Sequence, residues 1–331
     1  MSTENSPMKK QTKTDLVKRI PGVVKNYGIY LALLCILVFF SAVTGGKFQR
    51  PNNILNVIRQ VSMMGIASVG MAFVLLLGGI DLSIGSTITL VNIVAAWFMV
   101  KAGIHPVPAC LTALVMAAAV GFFNGWVIAN IKMPPLIVTL STMTILEGLA
   151  FIICGGVPIF GFSKDFAVIG QGYLGPVPIP VIIMAVILAA GAFILNQTYF
   201  GRYFYAVGGN EEAAALSGIS VKRVKYLVYT LSGFFAGLAG IVMLSRTMSG
   251  QALAGKGFEF DVLTAVVLGG VSVNGGYGKI SNVVAGILIL GVLSNGMVLM
   301  NITQYVQMVI KGSVLLLAVG FDCYQKQRKG V

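Results

Sequence analysis

The sequence predicts an all-α polytopic membrane protein, and three observations carry that prediction. Uncharged runs close to the length of a bilayer crossing recur from Asn26 to Phe321. Of the 331 residues, 10% are charged and 57% are hydrophobic, whereas soluble domains carry about 25% charged residues. Mean hydropathy is +0.90, which leaves little of the chain for an aqueous domain.

A crossing helix needs about 20 apolar residues. Runs that fit one span each extend from Asn26 to Gly46, Gln60 to Ile80, Leu82 to Val100, Ala102 to Ile131 and Tyr226 to Ser245. Met133 to Ser163 holds one charge, Glu147, and supplies another span. Phe166 to Gly201 carries several prolines before an apolar stretch at Ile179 to Leu195, which adds one more. Val262 to Gly278 is marginal in length, and Ile280 to Phe321 holds two spans broken around Asn301, the second containing Lys311. The prediction is about ten transmembrane helices.

Short cytoplasmic loops retain Lys and Arg during insertion. With the N-terminus inside, 15 of the 23 basic residues fall in the cytoplasm and seven outside, with Lys311 within a span. The reverse orientation inverts that bias, so both termini are predicted cytoplasmic. The plan is a basic segment, 1–26, a transmembrane domain, 27–321, with a cytoplasmic loop at 196–225, and a cytoplasmic tail, 322–331. The first apolar run is too long for a secretory signal, lacks an evident small-residue cleavage site and reads as an uncleaved helix.

The formal charge of +13 does not mark a nucleic-acid binder, because the basic residues sit at helix ends instead of on one continuous face. Cys35, Cys110, Cys154 and Cys323 are far apart and the single histidine, His105, adjoins a proline in a turn, so no metal site is predicted. The segment Gly269–Ser281 is glycine-rich, but Gly278-Lys279 is followed by Ile280 and no glycine stands five positions earlier. It fails the phosphate-loop pattern. No cofactor and no catalytic residue is predicted, and any ATP-driven step must use another subunit.

Polar residues inside apolar spans mark the candidate path. A charge in hydrocarbon is tolerated only when it faces protein or water. Asp81 therefore either caps the third helix through amides near Ser83 and Ile84 or lies on a pathway. Lys311 needs an internal partner, and Glu147 is the one expected. Asn92, Asn124, Thr139, Thr142, Thr144 and Asn295 either line a polar path or bond across helices. Gly233, Gly237 and Gly240, with Ser232 and Ala236 beside them, form a small-residue stripe for close helix packing. Trp97 and Trp126 lie near span ends as interfacial anchors. LLLGGIDLSIG near 75–85 is weakly echoed by VVLGGVSVNGG near 266–276.

The central loop carries a short helix signal: Asn210 as N-cap, Glu211 and Glu212 in the first turn, Ala213, Ala214 and Ser217 within it, and Gly218 as its stop. Isolated helices shorter than about 12 residues are marginal in water. Either this helix rests on its own protein, or it docks on a cytoplasmic partner.

Four segments, GGIDLSIGS (Gly78–Ser86), FGRYFYAVGGNEEAAALSGISVKRVK (Phe200–Lys225), LSGFFAGLAGIVMLSR (Leu231–Arg246) and GFEFDVLTAVVLGGVSVNGGYGKI (Gly257–Ile280), occur in order. Through them the chain, from about Tyr27 to Phe321, resembles the permease subunits of bacterial ribose-type ABC sugar importers. The resemblance implies a dimer in the bacterial inner membrane, a homodimer or a pseudo-symmetric pair, with a cytoplasmic ATPase subunit and a periplasmic sugar-binding protein. It makes Asn210–Gly218 the coupling helix to the ATPase. Asp81, Ser83, Asn92, Asn124, Thr142, Glu147, Asn295 and Lys311 become the candidate translocation path. Glu147 departs from the pattern, since many relatives carry arginine there. An ion-coupled secondary transporter, a passive channel and a branched-chain amino-acid ABC permease are the alternatives to a monosaccharide importer.

Overall fold

The computed structural model describes the backbone of residues 13–329 and the side chains of residues 28–324. The predicted N-terminal segment, 1–26, lies outside the described side chains, as do the three basic residues of the predicted tail, Lys326, Arg328 and Lys329.

The chain is helical almost throughout: α1 (Lys13–Val43), α2 (Pro51–Leu76), α3 (Ile84–Val100), α4 (Pro106–Asn130), α5 (Pro135–Cys154), α6 (Lys164–Gln171), α7 (Ile179–Gln197), α8 (Tyr199–Gly209), α9 (Glu211–Leu216), α10 (Val221–Thr247), α11 (Phe258–Leu268), α12 (Ile280–Leu299) and α13 (Gln304–Lys329). A small antiparallel hairpin, β1 (Tyr173–Leu174) and β2 (Val177–Pro178), follows α6. Among the described residues, seven helices are long and apolar enough to cross a membrane: α2, α4, α5, α7, α10, α12 and the Gln304–Tyr324 part of α13. Gly28–Val43 of α1 and the whole of α3 are shorter apolar helices. Proline opens the first turn of α2, α4, α5 and α7, where its missing N–H has no helical partner to lose.

α2 and α10 form the buried axis and α13 lies on the perimeter. α2 packs on α7, α10, α11 and α12, while α10 packs on α3, α4 and α6. The α4–α10 contact is backbone to backbone. A Cβ at Gly121 would stand 2.1 Å from the Tyr229 carbonyl oxygen, and one at Gly233 would stand 2.3 Å from that of Ala117. Small residues permit this approach, and dispersion between the two backbones holds it.

Two helices end at Gly-Gly turns. α2 ends at a left-handed Gly78, where the Gly78 amide bonds to the Leu75 carbonyl and the Gly79 amide to Val74, a Schellman ending. The chain then turns back inward and α3 starts only at Ile84. α11 ends in the same way one residue later in the echoed segment: Gly270 is left-handed, its amide bonds to Val267, and that of Val271 bonds to Val266. The stretch expected as a marginal span at Val262–Gly278 is therefore an 11-residue helix, about 16 Å long, continued by irregular chain. Residues 249–257 enter along α3, where the Asn92 Oδ1 accepts from the Gln251 amide at 2.9 Å and the Thr89 Oγ1 from the Gly255 amide at 2.9 Å. Protein groups satisfy these amides of the irregular stretch.

Candidate functional site

α2 serves as a ruler for three polar features stacked along the molecule. Gly70, on its inner half, meets the Ser232 backbone, with a Cβ placed there 2.7 Å from the Ser232 Cα. Asp81 returns to this level: its Oδ2 accepts from the Ser232 hydroxyl at 2.7 Å. Its Oδ1 accepts from the Ser83 amide at 3.0 Å and from the Ser83 hydroxyl at 2.5 Å. The Ser83 hydroxyl accepts in turn from the Asn124 amide nitrogen at 3.0 Å, and the Asn124 carbonyl oxygen from the Thr142 hydroxyl at 2.6 Å. All five residues are buried. The chain of donors from α5 through α4 and the donor from α10 both converge on the carboxylate, the arrangement that offsets the cost of an acidic group away from water.

Asp81, Ser83, Asn124 and Thr142 are thus brought together, and Ser232 joins them. Ser232 escaped the sequence reading because a serine within a glycine stripe looks like packing alone. Thr139 bonds to the Ile80 carbonyl at 3.0 Å and braces the same break, whereas Thr144 bonds within its own helix. Asn92 holds the entering chain, as above, and Asn295 exchanges amide bonds of 2.9 and 3.0 Å with Asn53. Lys311 does not meet Glu147. Its ammonium stands 2.7 Å from Asp261 Oδ2, because α13 packs on α11 whereas α5 packs on α3 and α4. Glu147 is half-buried and has no ion-pair partner among the described residues.

The second feature lies toward the opening of α2, at the ends of α10 and α12 and the beginnings of α11 and α13. A cavity of about 370 Å³ is lined there by Gln60, Arg246, Asp261, Ser294 and Lys311 together with apolar residues. Gln60 is ten residues before Gly70, so it lies about 15 Å along the axis from the Asp81 level. Of the predicted path residues, Lys311 lines this cavity.

The third feature is at the far end of α2. A Cβ at Gly208 of α8 would stand 1.7 Å from the Leu76 carbonyl oxygen, and the Gly276 amide donates to that same oxygen at 2.9 Å. Gly275 lies against Gly78 and Gly208, and the Tyr205 hydroxyl of α8 donates to the Gly278 carbonyl at 2.7 Å. The end of α2, the loop that follows α11 and α8 therefore meet at one glycine junction. α9 follows α8 directly. Asn210 Oδ1 accepts from the Ala213 amide at 2.9 Å, and Glu211 pairs with Lys225 at 2.8 Å. Ala214 is buried against the protein, the Ser217 hydroxyl bonds back to the Ala213 carbonyl, and a left-handed Gly218 ends the turn. Glu212 and Ala213 are exposed. Leu216 is 91% exposed, an apolar side chain presented beside a charged surface.

Known proteins give this geometry a context. Residues 53–319 match the family model described as branched-chain amino acid transport system / permease component. The ribose import permease protein of Bacillus subtilis (strain 168) is 41% identical over 91% of this chain and 94% of its own length. The L-arabinose transport system permease protein of Escherichia coli (strain K12) is 39% identical over 92% of each chain. The xylose transport system permease protein of Haemophilus influenzae is 34% identical over 91% of this chain and 97% of its own. No solved structure matches.

Proposed function

The chain belongs to this transporter permease family, and on that premise we propose that it is the membrane subunit of an ATP-driven importer for a monosaccharide or a similar polyhydroxylated solute. The observation that carries the reading is the 41% identity to a ribose import permease across 94% of that protein. The arabinose and xylose permeases support it, and they favour a sugar over a branched-chain amino acid. The subunit is not an enzyme. ATP hydrolysis belongs to a cytoplasmic ATPase subunit, and the solute arrives from a periplasmic binding protein. Two copies form the channel in the bacterial inner membrane, each with ten crossings and both ends cytoplasmic. In that count α1, α3 and the broken passage through α11 join the seven long helices.

In this reading α9 is the coupling helix. Glu212, Ala213 and Leu216 face the ATPase, Glu211 and Ala214 hold the helix to its own protein, and Asn210, Ser217 and Gly218 cap and close it. The extreme exposure of Leu216 supports docking over a helix at rest on its own surface. Asp81, Ser83, Asn92, Asn124, Thr142, Glu147, Asn295 and Lys311 form the path that opens when the helices part, with Asp81 as the point where four of them are gathered. The test is transport by the complete system in proteoliposomes: ATP-driven uptake of at least one of ribose, arabinose or xylose, and none of leucine, is the result this reading requires. Uptake of leucine with none of the three sugars contradicts it.

A further inference from the structure

We propose that the cavity at the start of α11 is a way station for one sugar ring, reached before the Asp81 network; this rests on the sugar-permease reading above. Its volume of about 370 Å³ falls in the range of small-ligand pockets, about 300–1,000 Å³. The decisive group is Ser294: the residue is 6% exposed, lines the cavity, and its hydroxyl has no hydrogen-bond partner. A buried hydroxyl without a partner costs free energy, and a ligand hydroxyl entering the cavity removes that cost.

The rest of the lining suits the same ligand. Gln60 offers a donor and an acceptor. Arg246 has no carboxylate partner among the described residues and its planar fork matches two neighbouring hydroxyls. Lys311 and Asp261 neutralise one another, yet each keeps about a quarter of its side chain exposed, 25% and 22%, leaving hydrogen-bonding capacity free. Phe258, Met63 and Met64 supply an apolar wall for the C–H face of a ring. The density of donors counts against a lipid chain.

Position completes the argument. The cavity sits on the opposite side of the Asp81 level from the glycine junction and α9, at the point where the entering chain becomes α11. Along α2, the Asp81 level lies between the cavity and α9.

The test uses the complete transporter in proteoliposomes, with ribose, arabinose and xylose as probes and sugar moved per ATP hydrolysed as the readout. Ser294→Leu fills the cavity, and the ratio is expected to fall by about tenfold or more through steric exclusion. Ser294→Ala removes one hydrogen bond to the sugar, with an expected loss of about threefold to tenfold. Because Ser294 bonds to nothing in the chain, the same alanine variant leaves thermal stability unchanged or raised. Ratios equal to wild type in both variants overturn the assignment, and so does a wild type that prefers galacturonate to all three neutral sugars and loses that preference with Arg246→Gln. A stability loss in Ser294→Ala that alone accounts for its lowered ratio also overturns it. Failure of the wild type to carry any of the sugars refutes the sugar reading itself, and the cavity assignment falls with it.

Discussion

Three hydrogen bonds converge on Asp81. Two serine hydroxyls and one amide reach its carboxylate, and Asn124 passes a further donor chain from Thr142. Removing the middle of that chain with Asn124→Ala leaves the Ser83 hydroxyl short of a donor and the Thr142 hydroxyl without an acceptor, at a cost of about 1–3 kcal/mol. A thermal-unfolding scan in detergent is expected to show a clear drop, whereas Thr144→Ala, whose hydroxyl bonds only within its own helix, is expected to show almost none. The ion pair gives a second contrast. Lys311→Met strands the partly buried Asp261 and is expected to destabilise by about 1–3 kcal/mol, less than a fully buried pair. Glu147→Gln removes no ion pair and should leave stability near wild type. The sequence made Asp81, Ser83, Asn124 and Thr142 visible because polar groups inside apolar runs need partners. It hid Ser232 among small residues and gave Lys311 the wrong partner, since the choice between Glu147 and Asp261 depends on which helix α13 lies against, and no local pattern encodes that.

The elements differ in how openly the sequence announces them. Long uninterrupted helices such as α4 and α12 follow from composition and from proline or charge at their ends. The passage through α11 does not, because the helix stops at Leu268 and the irregular chain that leads into it is tied to Thr89 and Asn92 of α3, a tertiary arrangement that an apolar count reads as one marginal span. The echoed Gly-Gly pairs fall at two helix endings that match. The α2 ending and the loop that follows the α11 ending meet α8 at the glycine junction, so under the proposed function a displacement of α9 is carried to both. Gly208→Val is expected to separate α8 from the α2 terminus, since its Cβ alone would overlap the Leu76 carbonyl. ATPase stimulation and uptake should then lose their proportionality. Gly209→Ala is the control, as a Cβ there meets nothing within 4 Å, and coupling near wild type is expected. For the docking face, Leu216→Glu is expected to weaken copurification with the ATPase by about tenfold or more, because truncation or charge at a central apolar anchor costs about 2 kcal/mol or more. The exposed Leu216 lies away from the buried core, so the fold itself should be unaffected.

At the scale of the whole molecule, one axis orders the function. α2 carries the cavity at its opening turns, the Asp81 level on its inner half and the glycine junction at its end, while α10 runs beside it and supplies Ser232 and Arg246. No part of this axis holds a phosphate loop or a nucleophile in an aqueous cleft, and the chain's family is that of transporter permeases. Under the proposed function, the energy for movement enters through α9. The most direct measurement is solute accumulation in sealed proteoliposomes containing this chain alone, with imposed proton and sodium gradients, compared with vesicles that also hold the ATPase subunit and receive the sugar-loaded binding protein. The account predicts no uphill accumulation by the chain alone under either gradient, and ATP-dependent accumulation by the full assembly. Uphill uptake by the chain alone contradicts it.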